Sequence, residues 1–83
     1  MAEMVTILIK LRTIFRDIFD DDLMSISEST SKADIEDWDS VAHIKLVLAI
    51  EEEFVVRMST EEVSSIKSVA GFMEAIQRHL LGQ

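Results

Sequence analysis

Along residues 4–18 the apolar side chains Met4, Leu8, Leu11, Ile14, Phe15 and Ile18 recur at intervals of three and four. That spacing lines one face of an α-helix and predicts a first helix over residues 3–19. Val5, Ile7, Ile9 and Leu11 also alternate at period two, which would suit a strand, but the helical match is longer. Residues 40–54 hold no helix breaker. Val41, Ile44, Val47 and Leu48 form one stripe there, and Leu46, Ile50 and Phe54 widen it, so this second helix is expected at the centre of the fold. Asp39 or Ser40 can cap it by accepting a hydrogen bond from a free N–H of the first turn. Ser59 followed three residues later by Glu62 is a capping box, which opens a short third helix. Val69, Phe72, Met73, Ile76 and Leu80 predict a fourth, with Ser68 as its N-cap. Gly71 inside it costs roughly 1 kcal/mol relative to alanine unless a close contact needs the space.

Between the first two helices, DDDLMSISESTSKADIEDWD is rich in Asp and Ser and has no sustained period, so it reads as a long loop. Loops beyond about 12–15 residues are uncommon in compact domains and are usually functional or disordered. Leu23, Met24, Ile26, Ile35 and Trp38 are the side chains available to pin this one across the helices. The expected fold is all-α: a four-helix bundle with a long loop between helices 1 and 2 and a short helix 3, in a single domain spanning residues 1–83.

Composition narrows the function classes. A chain of 83 residues has a thin core and little room for an elaborate catalytic cleft. It has no cysteine, which excludes disulfides, thiolate metal sites and cysteine nucleophiles. Eight basic residues against sixteen acidic give a formal charge of −8, which opposes binding to nucleic acid or anionic lipid and favours basic protein partners. The longest unbroken apolar run, LVLAI, is far too short to span a bilayer. MAEMVTILIKLR lacks a leading basic region and is interrupted by Lys10, so a cytoplasmic protein without membrane insertion is expected.

Several candidate chemistries fail on spacing. Counted from Asp20, a calcium loop would place Met24 at its fifth position, Ser25 where glycine is required and Ser31 where a bidentate Glu belongs. The acidic triple Asp20, Asp21 and Asp22 therefore reads as a solvated loop. Ser40 and His43 are an i, i+3 pair that could suggest a nucleophile and base, but a hydrolase also needs an orienter for the base and preorganised oxyanion donors. On this reading His43 is a surface residue and His79 has no partner, while Trp38, Met58 and Met73 are apolar fillers.

What remains is Ser40, directly after Asp39, at a loop-to-helix junction ahead of an apolar helix that closes in an acidic run. The segment WDSVAHIKLVLAIEEEF resembles the acyl carrier proteins, whose mark is an Asp-Ser pair followed by an apolar residue at the start of the second helix. The resemblance extends over nearly the whole chain: helix, long loop, Asp-Ser helix, a short helix at STEEV, and a last helix opened by SIKSV. It implies that Ser40 is not a catalyst but the attachment point for 4′-phosphopantetheine, transferred from coenzyme A by a phosphopantetheinyl transferase. The thiol of that arm would hold an acyl group as a thioester. Asp39 would cap the helix and help present Ser40, Val41, Ile44 and Lys45 would meet partner enzymes, and Glu51, Glu52 and Glu53 would steer them. The implied partners are the transferase, an acyl ligase or acyltransferase and downstream biosynthetic enzymes in fatty acid, polyketide or related pathways, met by a monomeric carrier.

The sequence also departs from the family's common pattern. Two positions after Ser40 and five positions after it, where fatty-acid carriers are usually acidic, stand Ala42 and Lys45. Val41 replaces the usual leucine, and Asp37 and Trp38 replace a glycine-containing approach. Val63 and Phe72 stand where alanine is common around the family's acyl cavity, which implies a shallow pocket suited to short or polar cargo. A specialised carrier is expected. The rival reading from composition alone is an acidic helical interaction module with no covalent cofactor.

Overall fold

The computed structural model describes residues 2–81. Four α-helices follow in order: α1 (Ala2–Ile18), α2 (Ser40–Phe54), α3 (Thr60–Ser65) and α4 (Val69–Leu81). α1 packs against both α2 and α4. The arrangement is the all-α bundle that the periodicity predicts, with a long loop after α1 and a short α3.

Phe15 and Leu11 of α1, Leu46 and Ile50 of α2, and Phe72 and Ile76 of α4 are fully buried and form the centre of the core. The helical reading of α1 is decided by its neighbours: Ile7 and Leu11 face inward while Val5 and Ile9 are exposed, whereas a strand would have put all four on one face. α1 begins and ends one residue earlier than the pattern suggests.

On α2 the buried stripe is Ala42, His43, Leu46, Val47 and Ile50. The stripe expected from the sequence was rotated: Val41, Ile44 and Leu48 point outward, at 63%, 52% and 60% exposure. A helix apolar on nearly all sides does not say which face wins. Here the face that continues Trp38 and His43 into Leu46 and Ile50 is the one that α1 and α4 cover.

The loop at residues 19–39 is tied down by backbone hydrogen bonds as well as side chains. The first-turn N–H groups of α4 have no intrahelical partner. Val69 donates instead to the Thr30 carbonyl at 2.9 Å and Ala70 to the Glu28 carbonyl at 3.2 Å. Gly71 donates to Ser68 Oγ at 3.1 Å, which makes Ser68 the expected cap. Lys32 N–H reaches the Lys67 carbonyl at 2.8 Å, and Arg16 Nε holds the Met24 carbonyl at 2.7 Å. A single 3-10 turn, Lys32–Asp34, interrupts the loop; the sequence pattern did not reveal it. Ile26 and Trp38 are buried and Met24 and Ile35 pack on the core, but Leu23 is 90% exposed and pins nothing.

Gly71 has the close contact its position calls for. A Cβ there would stand 3.3 Å from Ile66 Cγ2, in the link between α3 and α4. No helix is long and apolar enough to cross a membrane among the described residues.

Candidate functional site

Ser40 is the first residue of α2 and is exposed. Asp39 before it is extended (φ −102, ψ −170), so its carboxylate turns back over the helix end, where Oδ1 accepts the Ala42 N–H at 2.9 Å. Its carbonyl accepts the His43 N–H at 2.9 Å. The N–H groups of Ser40 and Val41 meet no protein acceptor among the described residues and open onto solvent at the positive end of the helix dipole. That end suits an anionic group esterified to the Ser40 hydroxyl.

Trp38 anchors the approach to this turn. Its ring is buried, edge-on to Phe15 at 5.3 Å between centroids and stacked on Phe72 at 6.1 Å. The indole N–H donates to Nδ1 of His43 at 3.0 Å, and Nε2 of His43 lies 2.9 Å from the Val63 carbonyl on α3. His43 is therefore a buried member of the core face, not a surface residue. The signal that could have found it is that a buried tryptophan needs an acceptor for its N–H, and His43 stands five residues after Trp38.

The outward face of α2 runs from Ser40 through Val41, Ile44 and Leu48, with Lys45 exposed beside them. Val41 and Lys45 also line a groove with Ile18, Phe19, Asp37 and Asp39 next to the serine. The three glutamates expected to act together are divided. Glu51 is half-buried and its Oε2 accepts the Met58 N–H at 2.9 Å, so it closes the α2–α3 connection. Glu53 pairs with Lys10 of α1 at 3.4 Å, and Glu52 is exposed. All three sit about 16 Å or more along the helix axis from Ser40, at 1.5 Å per residue. A carboxylate at a helix C-terminus is unfavourable to the dipole, and for Glu51 the compensation is this backbone hydrogen bond.

A second polar cluster joins α3 to α4. Glu62 accepts the Ser59 N–H at 3.0 Å in the predicted capping box, and Ser59 Oγ accepts the Glu62 N–H at 3.1 Å. The same carboxylate meets Arg78 and His79, each at 3.0 Å. His79 thus has a partner that its sequence neighbourhood did not show. Ser40 and His43 do not form a nucleophile and base, because both ring nitrogens of His43 are occupied by Trp38 and Val63.

Ser40 thus stands exposed at the start of the central helix of a small acidic bundle, with an apolar strip running from it. The solution structure of the holo acyl carrier protein from Geobacter metallireducens is similar to this chain with a TM-score of 0.82 and 31% identity, over 90% of this chain and 86% of that one. The crystal structure of an acyl carrier protein from Thermotoga maritima gives 0.81 at 26% identity, over 96% and 93% of the two chains. The acyl carrier protein of Lactobacillus acidophilus is 30% identical over 70 residues, 84% of this chain and 88% of the relative. No family model matches the chain. The chain belongs to the acyl carrier protein family, whose members are non-catalytic carriers.

Proposed function

We propose that this protein carries acyl intermediates as thioesters on a 4′-phosphopantetheine arm joined to Ser40, and presents them to biosynthetic enzymes in the cytoplasm. The observation that carries the reading is the exposed Ser40 side chain at the N-terminus of α2, beside two N–H groups that no acceptor among the described residues takes. In the loading step a transferase forms a bond from Ser40 Oγ to the phosphorus of the pantetheine arm of coenzyme A. The phosphoanhydride breaks, adenosine 3′,5′-bisphosphate leaves, and the hydroxyl proton passes to the transferase. The bound arm supplies the thiol that this cysteine-free chain lacks.

The chain's own residues hold and present that group. Asp39 fixes the turn by capping α2, the Ser40 and Val41 N–H groups and the helix dipole favour the phosphodiester anion, and Val41, Ile44 and Leu48 offer an apolar strip to partner enzymes. Lys45 on that strip makes the docking face less negative than an acidic carrier's, which supports a specialised carrier served by its own ligase or acyltransferase. Phe72 is fully buried against Trp38 and Phe15, and that filling supports short or polar cargo over long acyl chains. Exposed charges such as Glu52 mainly speed encounter, as suits brief contacts between a monomeric carrier and several enzymes.

Incubation with coenzyme A and a broad-specificity transferase, followed by intact mass measurement, tests the reading. A gain of one phosphopantetheine that is absent in Ser40→Ala supports it. An unchanged mass supports the interaction module instead.

A further inference from the structure

We propose that His43 is the positioning residue of the attachment turn: its two ring nitrogens tie Trp38, two residues before Ser40, to the backbone of α3, and so fix where the serine hydroxyl is offered to the transferase. The inference rests on Ser40 being the attachment point.

The roles of the two nitrogens follow from the chemistry of their partners. An indole N–H can only donate, so Nδ1 of His43, 3.0 Å from Trp38 Nε1, is the acceptor. A carbonyl can only accept, so Nε2, 2.9 Å from the Val63 oxygen, carries the proton. One neutral tautomer satisfies both contacts; in the other, N–H would face N–H on one side and two lone pairs would face each other on the second. The ring is 7% exposed and flanked by Trp38 and Phe72, with centroids 6.0 and 5.5 Å away. An apolar residue in its place would fill the space but leave the buried Trp38 N–H without a partner and the Val63 carbonyl with the Ile66 N–H alone, at 3.3 Å.

The turn has few other anchors. Trp38 N–H reaches the Ile35 carbonyl at 3.1 Å and Asp39 N–H the Asp37 carbonyl at 2.9 Å, both within the loop, while the Asp39 cap and the Asp39 carbonyl bind the turn only to the first residues of α2. The Trp38 side chain ties the turn to the core beyond α2, and His43 sets its register by the only side-chain hydrogen bond that the indole makes among the described residues. Because His43 also holds Val63, the two segments that approach the start of α2, the loop and α3, share one support.

Two substitutions separate the halves of this support. In His43→Asn the side-chain oxygen lies near the place of Nδ1 and can still accept from Trp38, while the Val63 contact is lost. In His43→Gln the amide nitrogen lies near the place of Nε2 and can still donate to Val63, while Trp38 is released. Trp38→Phe keeps most of the ring packing and removes the donor. The full-length chain and these three variants are compared for KM and kcat in modification with coenzyme A, for Tm, and for the shift and exchange rate of the Trp38 indole N–H by NMR. In His43→Gln and Trp38→Phe we expect KM for the carrier to rise roughly three- to tenfold, the population change that follows loss of one buried hydrogen bond. His43→Asn, which keeps the Trp38 contact and cuts the tie to α3, should raise KM less than His43→Gln does, by roughly two- to threefold, since the Val63 carbonyl keeps the Ile66 N–H. The indole signal should keep its shift and slow exchange in His43→Asn and lose both in His43→Gln. A KM that simply follows Tm across the set, or an indole signal indifferent to His43→Gln, would overturn the proposal. If the parent chain gains no mass at all, the Ser40 reading fails, and the indole signal alone then decides for or against the His43 tie.

Discussion

Glu62 of α3 and His79 of α4 meet at 3.0 Å, and Arg78 closes on the same carboxylate from one residue earlier in α4. This is the main polar fastening of α3, a helix of six residues that cannot hold its shape alone. The Ser59 N–H first, then His79 and Arg78, hold the Glu62 carboxyl well below its ordinary value of 4.5, at about 2.

A carboxylate whose folded value is lowered contributes stability that is complete above its unfolded value and disappears as the pH falls through the folded one. For Glu62 that window lies between about pH 4.5 and 2. Glu62→Gln should therefore be less stable than the parent at neutral pH, with the gap narrowing across that window. Thermal unfolding followed at several pH values checks this. A gap that stays constant from pH 7 to pH 2 would count against the ionised carboxylate as the fastening.

Asp39 caps α2 through a single hydrogen bond to Ala42 N–H. Asp39→Ala should cost about 1 kcal/mol in urea unfolding, and Asp39→Ser, which restores an acceptor, only a few tenths. If alanine and serine are equally destabilising, the cap is not what Asp39 contributes.

α2 stops at Val55, which takes the left-handed conformation (φ 55, ψ 54) and lets Val56 N–H reach the Glu51 carbonyl at 3.1 Å. A β-branched residue is strained there, at a cost of order 1–3 kcal/mol. The Val55 side chain is 87% exposed and buries little. Val55→Gly should raise stability by roughly 0.5–1 kcal/mol, the relief of strain offset in part by the greater freedom of glycine in the unfolded chain. A lower Tm for this variant would show that the strain is not there to be relieved.

Much of this architecture was legible in the chain itself. Met4, Leu8, Leu11, Phe15 and Ile18 spell out α1, the Ser59–Glu62 box marks the start of α3, and Ser68 caps α4, because each rests on local spacing and short-range hydrogen bonds. The facing of α2 was not legible, since Val41, Ile44 and Leu48 are as apolar as Leu46, Val47 and Ile50 and only the tertiary partners choose between them. The order of the loop was hidden for a related reason: it comes from Thr30 and Glu28 carbonyls that serve the distant α4. Glu51 and His79 were misjudged because their partners, Met58 N–H and Glu62, lie seven and seventeen residues away. Ser40 stood out because its setting, an Asp-Ser pair at a helix start, is local.

The central claim is that one hydroxyl, that of Ser40, carries the arm. Trypsin cutting after Lys32 and Lys45 releases a peptide of residues 33–45 in which Ser40 is the sole hydroxyl-bearing side chain. After treatment with coenzyme A and transferase, fragment mass analysis should find one phosphopantetheine on that peptide and on no other. An unmodified 33–45 peptide, or the added mass on a peptide carrying a different serine, would contradict the account.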